Sequence, residues 1–346
     1  MAIKKISVDT FLELAKTMPV FDVRSPGEYN HASFPGAHSL PLFSDEERKV
    51  VGTLYKQQGR QRAIKVGLDY FGSKMNNLIG EVEHVTGKSK NNSEGLSPVI
   101  VHCWRGGMRS AGVAWLLDLY GYEVYTLVGG YKSFRRWVLS RFEEDHDIRI
   151  LGGYTGSAKT ELLHFLQNQN KPAIDLEGIA SHKGSAFGAL GQPPQPTQEM
   201  FENKLALALF SMKEKCVWME DESQRIGRLN IPHSLWNTIR SKPVYFLEIP
   251  FEKRLEFIVK TYGVHEKEKL KEAIIRIERK LGGLEMKNAI RFLSEGDIES
   301  CFSILLKYYD KLYEKSLANR KDPAPVVIKI PCVSTGPEEN AIRLPN

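Results

Sequence analysis

The sequence predicts two α/β domains, each a parallel sheet crossed by helices, with a layer of helices closing the second. Three observations carry this prediction. Short buried-strand patterns alternate with helical periodicity through residues 1–140. The strand–loop–helix pattern restarts at Ile148, after a charged stretch (141–147) that lacks apolar periodicity. Helical periodicity then dominates residues 251–317. A chain of 346 residues also exceeds one ordinary core. The expected layout is a first domain over 1–140, a linker over 141–147, a second domain over 148–322 and a C-terminal tail over 323–346.

Residues 6–13 read as a strand end entering a helix capped by Asp9 or Thr10. Residues 19–24 form a short apolar strand stopped by Ser25-Pro26-Gly27. Residues 88–97 (KSKNNSEGLS) read as a surface loop. A buried strand over 99–102 ends at Cys103, and helical periodicity over 110–119 closes at Gly121. Residues 123–127 give another strand, stopped by Gly129-Gly130. In the second half, 148–151 is a buried strand, 161–166 the following helix, and 216–219 a strand entering Glu220-Asp221-Glu222-Ser223.

Charged residues make up 26% and hydrophobic residues 42% of the chain, ordinary values that argue against wholesale disorder. The formal charge of +6 fits a polyanionic partner but carries little weight alone. Cys103, Cys216, Cys301 and Cys332 lie far apart without a CxxC pair, which argues against a zinc cluster or disulfide framework and for a reducing compartment. The N-terminal segment is a poor signal peptide, and no apolar run is long enough to cross a bilayer. The expectation is a soluble, cytoplasmic protein with no membrane partner. The sequence leaves the metal set open, with Mg²⁺ at a phosphate-binding loop as the candidate.

The strongest chemical feature is Val101-His102-Cys103-Trp104-Arg105-Gly106-Gly107-Met108-Arg109-Ser110. Between a strand end and a helix start, the N–H groups of Trp104 to Arg109 can form an anion nest at a positive helix terminus. Arg105 and Arg109 add charge, which favours a thiolate. Gly106-Gly107 permits tight curvature. The bland reading, a buried core cysteine, is outweighed by the two glycines and two arginines. Two chemistries remain open at this point. Cys103, five residues, then Arg109-Ser110 matches a cysteine-phosphatase pattern, and the same loop suits a sulfur or selenium carrier.

Residues 148–151 lead into Gly152-Gly153-Tyr154-Thr155-Gly156-Ser157-Ala158-Lys159-Thr160. This is a phosphate-binding P-loop pattern from Gly153 to Thr160, with Ala158 where the last glycine should stand. Backbone N–H groups cradle phosphate oxygens, Lys159 supplies a point charge, and Thr160 can ligate Mg²⁺. Alanine favours the following helix. Glu220, Asp221 and Glu222 follow a strand, as do the acidic residues that hold Mg²⁺ or its water in P-loop proteins. Asp175 and Glu177, followed by a small-residue loop with His182 and Lys183, read as a substrate loop.

Residues 21–29 (FDVRSPGEY) and 34–41 (FPGAHSLP) resemble the first stretch of rhodanese domains, which tilts the cysteine loop towards chalcogen transfer. Together with HCWRGGMRS, GGYTGSAKT, DLEGIASHKGSAFG and MEDESQRIG, from about residue 10 to 315, the chain resembles the bacterial tRNA 2-selenouridine synthase family. Ala158 and Lys183 stand where that family more usually has Gly and Arg, and lysine loses a bidentate fork. The resemblance implies conversion of wobble 2-thiouridine to 2-selenouridine by S-geranylation with geranyl diphosphate, then exchange with selenophosphate. It implies tRNA, through its anticodon region, and a selenophosphate source as partners. Cys103 would act in the selenium step and the P-loop on the diphosphate. Residues 131–137 (YKSFRRW) interleave aromatic and basic side chains, either as a tRNA-contacting strip or as an amphipathic helix burying its rings. The alternative is a cysteine phosphatase joined to a phosphate-binding module. A third reading is a non-catalytic scaffold, against which Cys103 itself argues.

Overall fold

The computed structural model describes residues 3–87, 96–212, 215–318 and 326–345. Most of the loop expected over 88–97 lies outside the described residues. The chain divides into two compact units, Met1–Ser140 and Arg141–Asn346.

The first unit is built on β1 (Lys4–Ile6), β2 (Val20–Asp22), β3 (His38–Ser39), β4 (Val99–His102) and β5 (Val124–Leu127). They pair in parallel in the order β1-β5-β4-β2-β3. β4 is central, and all four of its residues are buried, which is why it reads as an unbroken apolar run rather than an alternation. The first helix, Val8–Leu14, is capped by Ser7, whose hydroxyl accepts from the Thr10 N–H at 3.2 Å. Asp9 lies inside its first turn, not at the cap. Between β3 and β4 run two helices the sequence reading does not contain, Asp45–Gln57 and Arg60–Thr86. Helix Met108–Tyr120 follows β4 and ends on Gly121 at φ +112, a left-handed cap suited to glycine.

The second unit contains β6 (Ile148–Gly153), β7 (Ala173–Ile174), β8 (Val217–Glu220), the antiparallel pair β9 (Arg225–Ile226) and β10 (Leu229–Asn230), β11 (Val244–Glu248) and β12 (Val327–Pro331). The main sheet is parallel, in the order β12-β11-β6-β8-β7. Central β6 and its neighbour β8 deliver the P-loop and the acidic run to the same carboxyl edge, where open α/β sheets bind ligands. Helices Phe251–Tyr262, Lys267–Arg276, Gly283–Glu295 and Ile298–Ala318 close one side around Ile258, Leu270, Leu293 and Phe302.

The segment expected as a tail is integral. β12 pairs with β11 over five residues, and helix Pro337–Ile342 brings Ala341 against the core containing Leu162 and Leu166. Among the described residues no helix is long and apolar enough to cross a membrane.

Candidate functional site

Each unit carries one strand-to-helix turn with chemistry. In the first, β4 delivers Cys103 to the sheet's carboxyl edge, 2% exposed. Its Sγ lies 3.2 Å from Ser110 Oγ and accepts from the Gly107 N–H at 3.3 Å. Burial is the largest single influence on this thiol and pushes its pKa up. Hydrogen bonds from the Ser110 hydroxyl and from the backbone of Ser110, Arg105 and Gly107 together outweigh it, so the pKa lies below the ordinary value.

Helix Gly130–Arg141 clamps the loop from behind. The Tyr131 N–H donates to Cys103 O at 2.8 Å, and the Lys132 N–H to Trp104 O at 2.9 Å. This approach requires glycine at two positions. Gly106 has φ +64, and a Cβ there would lie 2.6 Å from Leu127 O; at Gly130, φ +60, it would lie 2.3 Å from Cys103 O. Gly107 has φ −102 and open space beside it, so only the first glycine of the pair is demanded by the turn.

Arg109 is not free to hook an anion by itself. Its Nη1 donates to Glu28 Oε2 at 2.8 Å, and Arg48 Nε reaches the same oxygen at 2.8 Å. Burial pushes the Glu28 carboxyl up, but the arginines and the Ser25 backbone bring it to about 2. Arg105 and Met108 are exposed, and Trp104 is half-buried. Beneath the loop, buried Arg24 forks onto Asp22 (Nη2 to Oδ2, 2.6 Å) and lies 3.8 Å over the Tyr131 ring. His102 is buried against Tyr131 and held neutral by burial. Its ring nitrogens have no hydrogen-bond partner among the described residues. Tyr131, Phe134 and Trp137 are 0%, 1% and 7% exposed, so these rings are core and cannot stack on bases.

In the second unit, the P-loop leaves β6 and enters helix Lys159–Asn168. Arg254, 4% exposed, donates to Thr155 O at 3.1 Å and forks onto Asp310 at 2.8 and 2.9 Å, tying the loop to the helical layer. Gly156 is required, since a Cβ at its φ of +83 would lie 2.9 Å from Arg254 O. Ala158 sits at φ +51, ψ +39, the left-handed region, and precedes the helix instead of belonging to it. Its helix propensity is therefore irrelevant there. The Lys159 ammonium folds across the loop to Gly153 O at 3.0 Å.

The acidic residues sort by position. Glu177 Oε2 accepts from Thr160 Oγ1 at 3.2 Å and pairs with Glu222. Burial, then repulsion from Glu177 and the hydrogen bond between them, push the Glu222 carboxyl well above the ordinary range; burial also raises Glu177, against that hydrogen bond and the pull of Lys159. Asp221 Oδ2 accepts from the Tyr313 hydroxyl at 2.7 Å, which itself accepts from the Gly153 N–H at 3.3 Å. Glu220 is 1% exposed, accepts from the Leu176 N–H at 3.0 Å and lies beneath the site. Asp175 caps the short helix Leu176–Ala180 and meets His164 at 2.7 Å. Of the substrate-loop residues, Lys183 lines the pocket. His182 packs against Gly188 and Gly227 instead, its pKa lowered by burial.

The pocket over the P-loop is a cavity of about 470 Å³ lined by Thr155, Gly156, Ser157, Ala158, Lys159 and Thr160. Phe257, Ile258, Tyr262, Phe302 and Tyr309 also line it and supply apolar surface. Among the described residues no three His, Cys, Asp or Glu side chains are grouped to hold a metal ion. Glu28, Arg254 and Tyr313 were not singled out as site residues in the sequence. Glu28 alone had a signal, its place in the FDVRSPGEY stretch.

Comparisons with known proteins agree with this division. Residues 7–136 match the family described as rhodanese-like domain, and residues 146–329 the tRNA 2-selenouridine synthase AAA domain. A tRNA 2-selenouridine synthase of Hydrogenovibrio crunogenus is 34% identical over 88% of this chain and 91% of that protein. Another, of Sulfurovum sp. (strain NBC37-1), is 36% identical over 86% and 88%. The chain is also similar to a crystal structure of the N-terminal domain of a putative ATP/GTP binding protein from Clostridium difficile 630. The identity is 34% over 40% of this chain and 99% of that one, with a TM-score of 0.34.

Proposed function

Because the chain belongs to the tRNA 2-selenouridine synthase family, we propose that it converts wobble 2-thiouridine in tRNA to 2-selenouridine through an S-geranyl intermediate. The observation that carries this reading is one chain holding two different tools. One is a hydrogen-bonded Cys103 with a lowered pKa, and the other is a pocket lined by both the phosphate-binding loop and aromatic and aliphatic side chains. Such a pocket suits a diphosphate bearing an apolar chain, here geranyl diphosphate.

In the first step the thiouridine sulfur attacks C1 of the geranyl chain. The S–C bond forms, the C–O bond breaks, diphosphate leaves with the electron pair, and the N3 proton is released. Lys159 and the P-loop N–H groups hold the departing charge. Thr160 and the Glu177 and Glu222 carboxyls are hard oxygen donors that would hold Mg²⁺ once it displaced the proton between them, and the ion would neutralise the diphosphate.

In the second step the selenium of selenophosphate attacks C2. The C2–Se bond forms, the C2–S bond breaks, and the sulfur takes a proton as geranylthiol. Water then cleaves the P–Se bond and releases phosphate. Selenium enters at the oxidation level of the product, so no external reductant is needed. That favours Cys103 as an anchor for the donor over a perselenide carrier. Against the phosphatase alternative, Arg109 is already paired with Glu28.

The test is mass spectrometry of nucleosides from 2-thiouridine tRNA incubated with the protein, geranyl diphosphate and selenophosphate. Geranylated and then selenium-containing uridine is expected. Unmodified tRNA, with folded protein and verified substrates, overturns the reading.

A further inference from the structure

Helices Asp45–Gln57, Arg60–Thr86 and Met108–Tyr120 enclose a second cavity, of about 790 Å³, in the first unit. Its wall includes Phe43, Phe71 and Met75, together with Tyr55, Leu68 and Trp115. The last three and Met108, also on the wall, are 50–56% exposed. A contiguous apolar surface of this kind marks a binding site rather than ordinary exposure. Helix Asp45–Gln57 buries none of its residues fully; Val51 packs against the core, and Val51, Gly52, Thr53 and Tyr55 line the cavity.

Gly52 sharpens the point. It sits inside that helix, where glycine is unfavourable, yet a Cβ there would meet nothing within 4 Å. No packing demand explains it; what its missing side chain leaves is cavity space. The lining is net cationic: Lys49 and Lys56 are exposed on it, and Arg48 and Arg109, also on it, share the single carboxylate of Glu28. That complements RNA phosphates. Two wall residues, Met108 and Arg109, belong to the loop that carries Cys103.

We infer that this chamber receives the geranyl group of S-geranyl-2-thiouridine in tRNA during the selenium step. The inference rests on the geranyl reading above. An apolar chamber beside the cysteine loop, with a net cationic lining, fits a ligand whose apolar part adjoins the reacting carbon and whose remainder is polyanionic. The geranylthio group is that part. As the C2–Se bond forms and the C2–S bond breaks, the chamber retains the chain and geranylthiol departs from it. Free geranyl diphosphate belongs instead to the P-loop pocket, whose phosphate-binding loop takes its phosphates.

The test uses the full-length protein and RNA oligonucleotides carrying either S-geranyl- or S-methyl-2-thiouridine, with selenophosphate. Gly52→Phe fills the chamber from a helical position with open space, and Gly52→Ala with thermal melting controls for folding. The Phe variant is expected to lower kcat/KM for the geranyl substrate at least about tenfold more than for the methyl substrate. Equilibrium dialysis of the S-geranyl-2-thiouridine nucleoside should show binding to the parent protein and weaker binding to the Phe variant. Equal losses on both substrates, or undiminished nucleoside binding by a folded Phe variant, overturn the chamber. A change only in sedimentation, with equal losses, gives the surface to a second copy of the chain and also overturns it. If the parent protein geranylates no tRNA, the activity reading fails, while the dialysis still judges the chamber on its own.

Discussion

The Cys103 loop and the P-loop share one design and use it oppositely. Both leave the central strand of a parallel sheet and turn into a helix at its carboxyl edge. In the first, hydrogen bonds converge on the protein's own Sγ and lower the thiol pKa despite burial, which favours an anion supplied by the protein. In the second, the loop's cation folds onto a loop carbonyl, and burial beside Glu177 pushes the Glu222 carboxyl well above its ordinary pKa. That turn is arranged for a negative charge brought by a ligand. A strand–loop–helix turn thus sets where an anion sits, and the side chains around it decide who supplies it.

The sharpest way to break this comparison is to disable each turn in turn. Cys103→Ser should abolish selenium incorporation, a loss of about a thousandfold or more, while S-geranyl nucleoside still accumulates. Lys159→Ala should do the reverse, lowering geranylation about a hundredfold and leaving a supplied S-geranyl RNA as a substrate. Nucleoside mass spectrometry reads both, and unchanged geranylation by the lysine variant removes the P-loop from that step.

A smaller effect tests what holds the thiolate. Ser110→Ala removes one of the hydrogen bonds that lower the thiol pKa. The midpoint of iodoacetamide alkylation against pH should move upward, and alkylation at neutral pH should slow several-fold. An unmoved midpoint would assign the low pKa to the backbone alone.

The carboxyl pair gives the matching test in the second unit. Its folded pKa is raised above the ordinary 4.5, so the native state holds more protons than the unfolded chain in the interval above that value. Stability contributed there is present at low pH and falls as pH rises through the interval. Glu222→Gln keeps a hydrogen bond without the charge and should be more stable than the parent at pH 8, by on the order of 1 kcal/mol, but not at pH 4. A stability difference that does not depend on pH would rule out the shared proton.

What the sequence made legible was local. The strand–turn–helix around Cys103 is written in ten consecutive residues, and the P-loop in nine. The unread parts depend on distant partners. Arg254 is one of three basic residues on its helix, and its meaning comes from Thr155 and Asp310, far off in sequence. β12 is a short apolar stretch among prolines until β11 pairs with it. Helix Asp45–Gln57 buries no residue fully and is mostly charged and polar, so no core-facing run marks it, although part of it lines the cavity beside the cysteine loop. Ring burial in 131–137 is one of the two readings the sequence leaves open, and packing under the Cys103 loop decides it.

Ala158 gives the smallest effect and the most specific one. It departs from the P-loop pattern where glycine is the usual residue, and its backbone there is left-handed at φ +51. An L-residue in that conformation costs about 1 kcal/mol relative to glycine, from the approach of Cβ to the backbone. Glycine loses more freedom on folding, which offsets part of that gain. Ala158→Gly should therefore raise stability by no more than about 1 kcal/mol, read as a shift in the denaturation midpoint. Its effect on diphosphate affinity separates two accounts of the departure. Strain alone predicts a gain in stability with unchanged affinity. A Cβ that crowds the bound anion predicts tighter diphosphate binding as well, measured by calorimetry on the same variant.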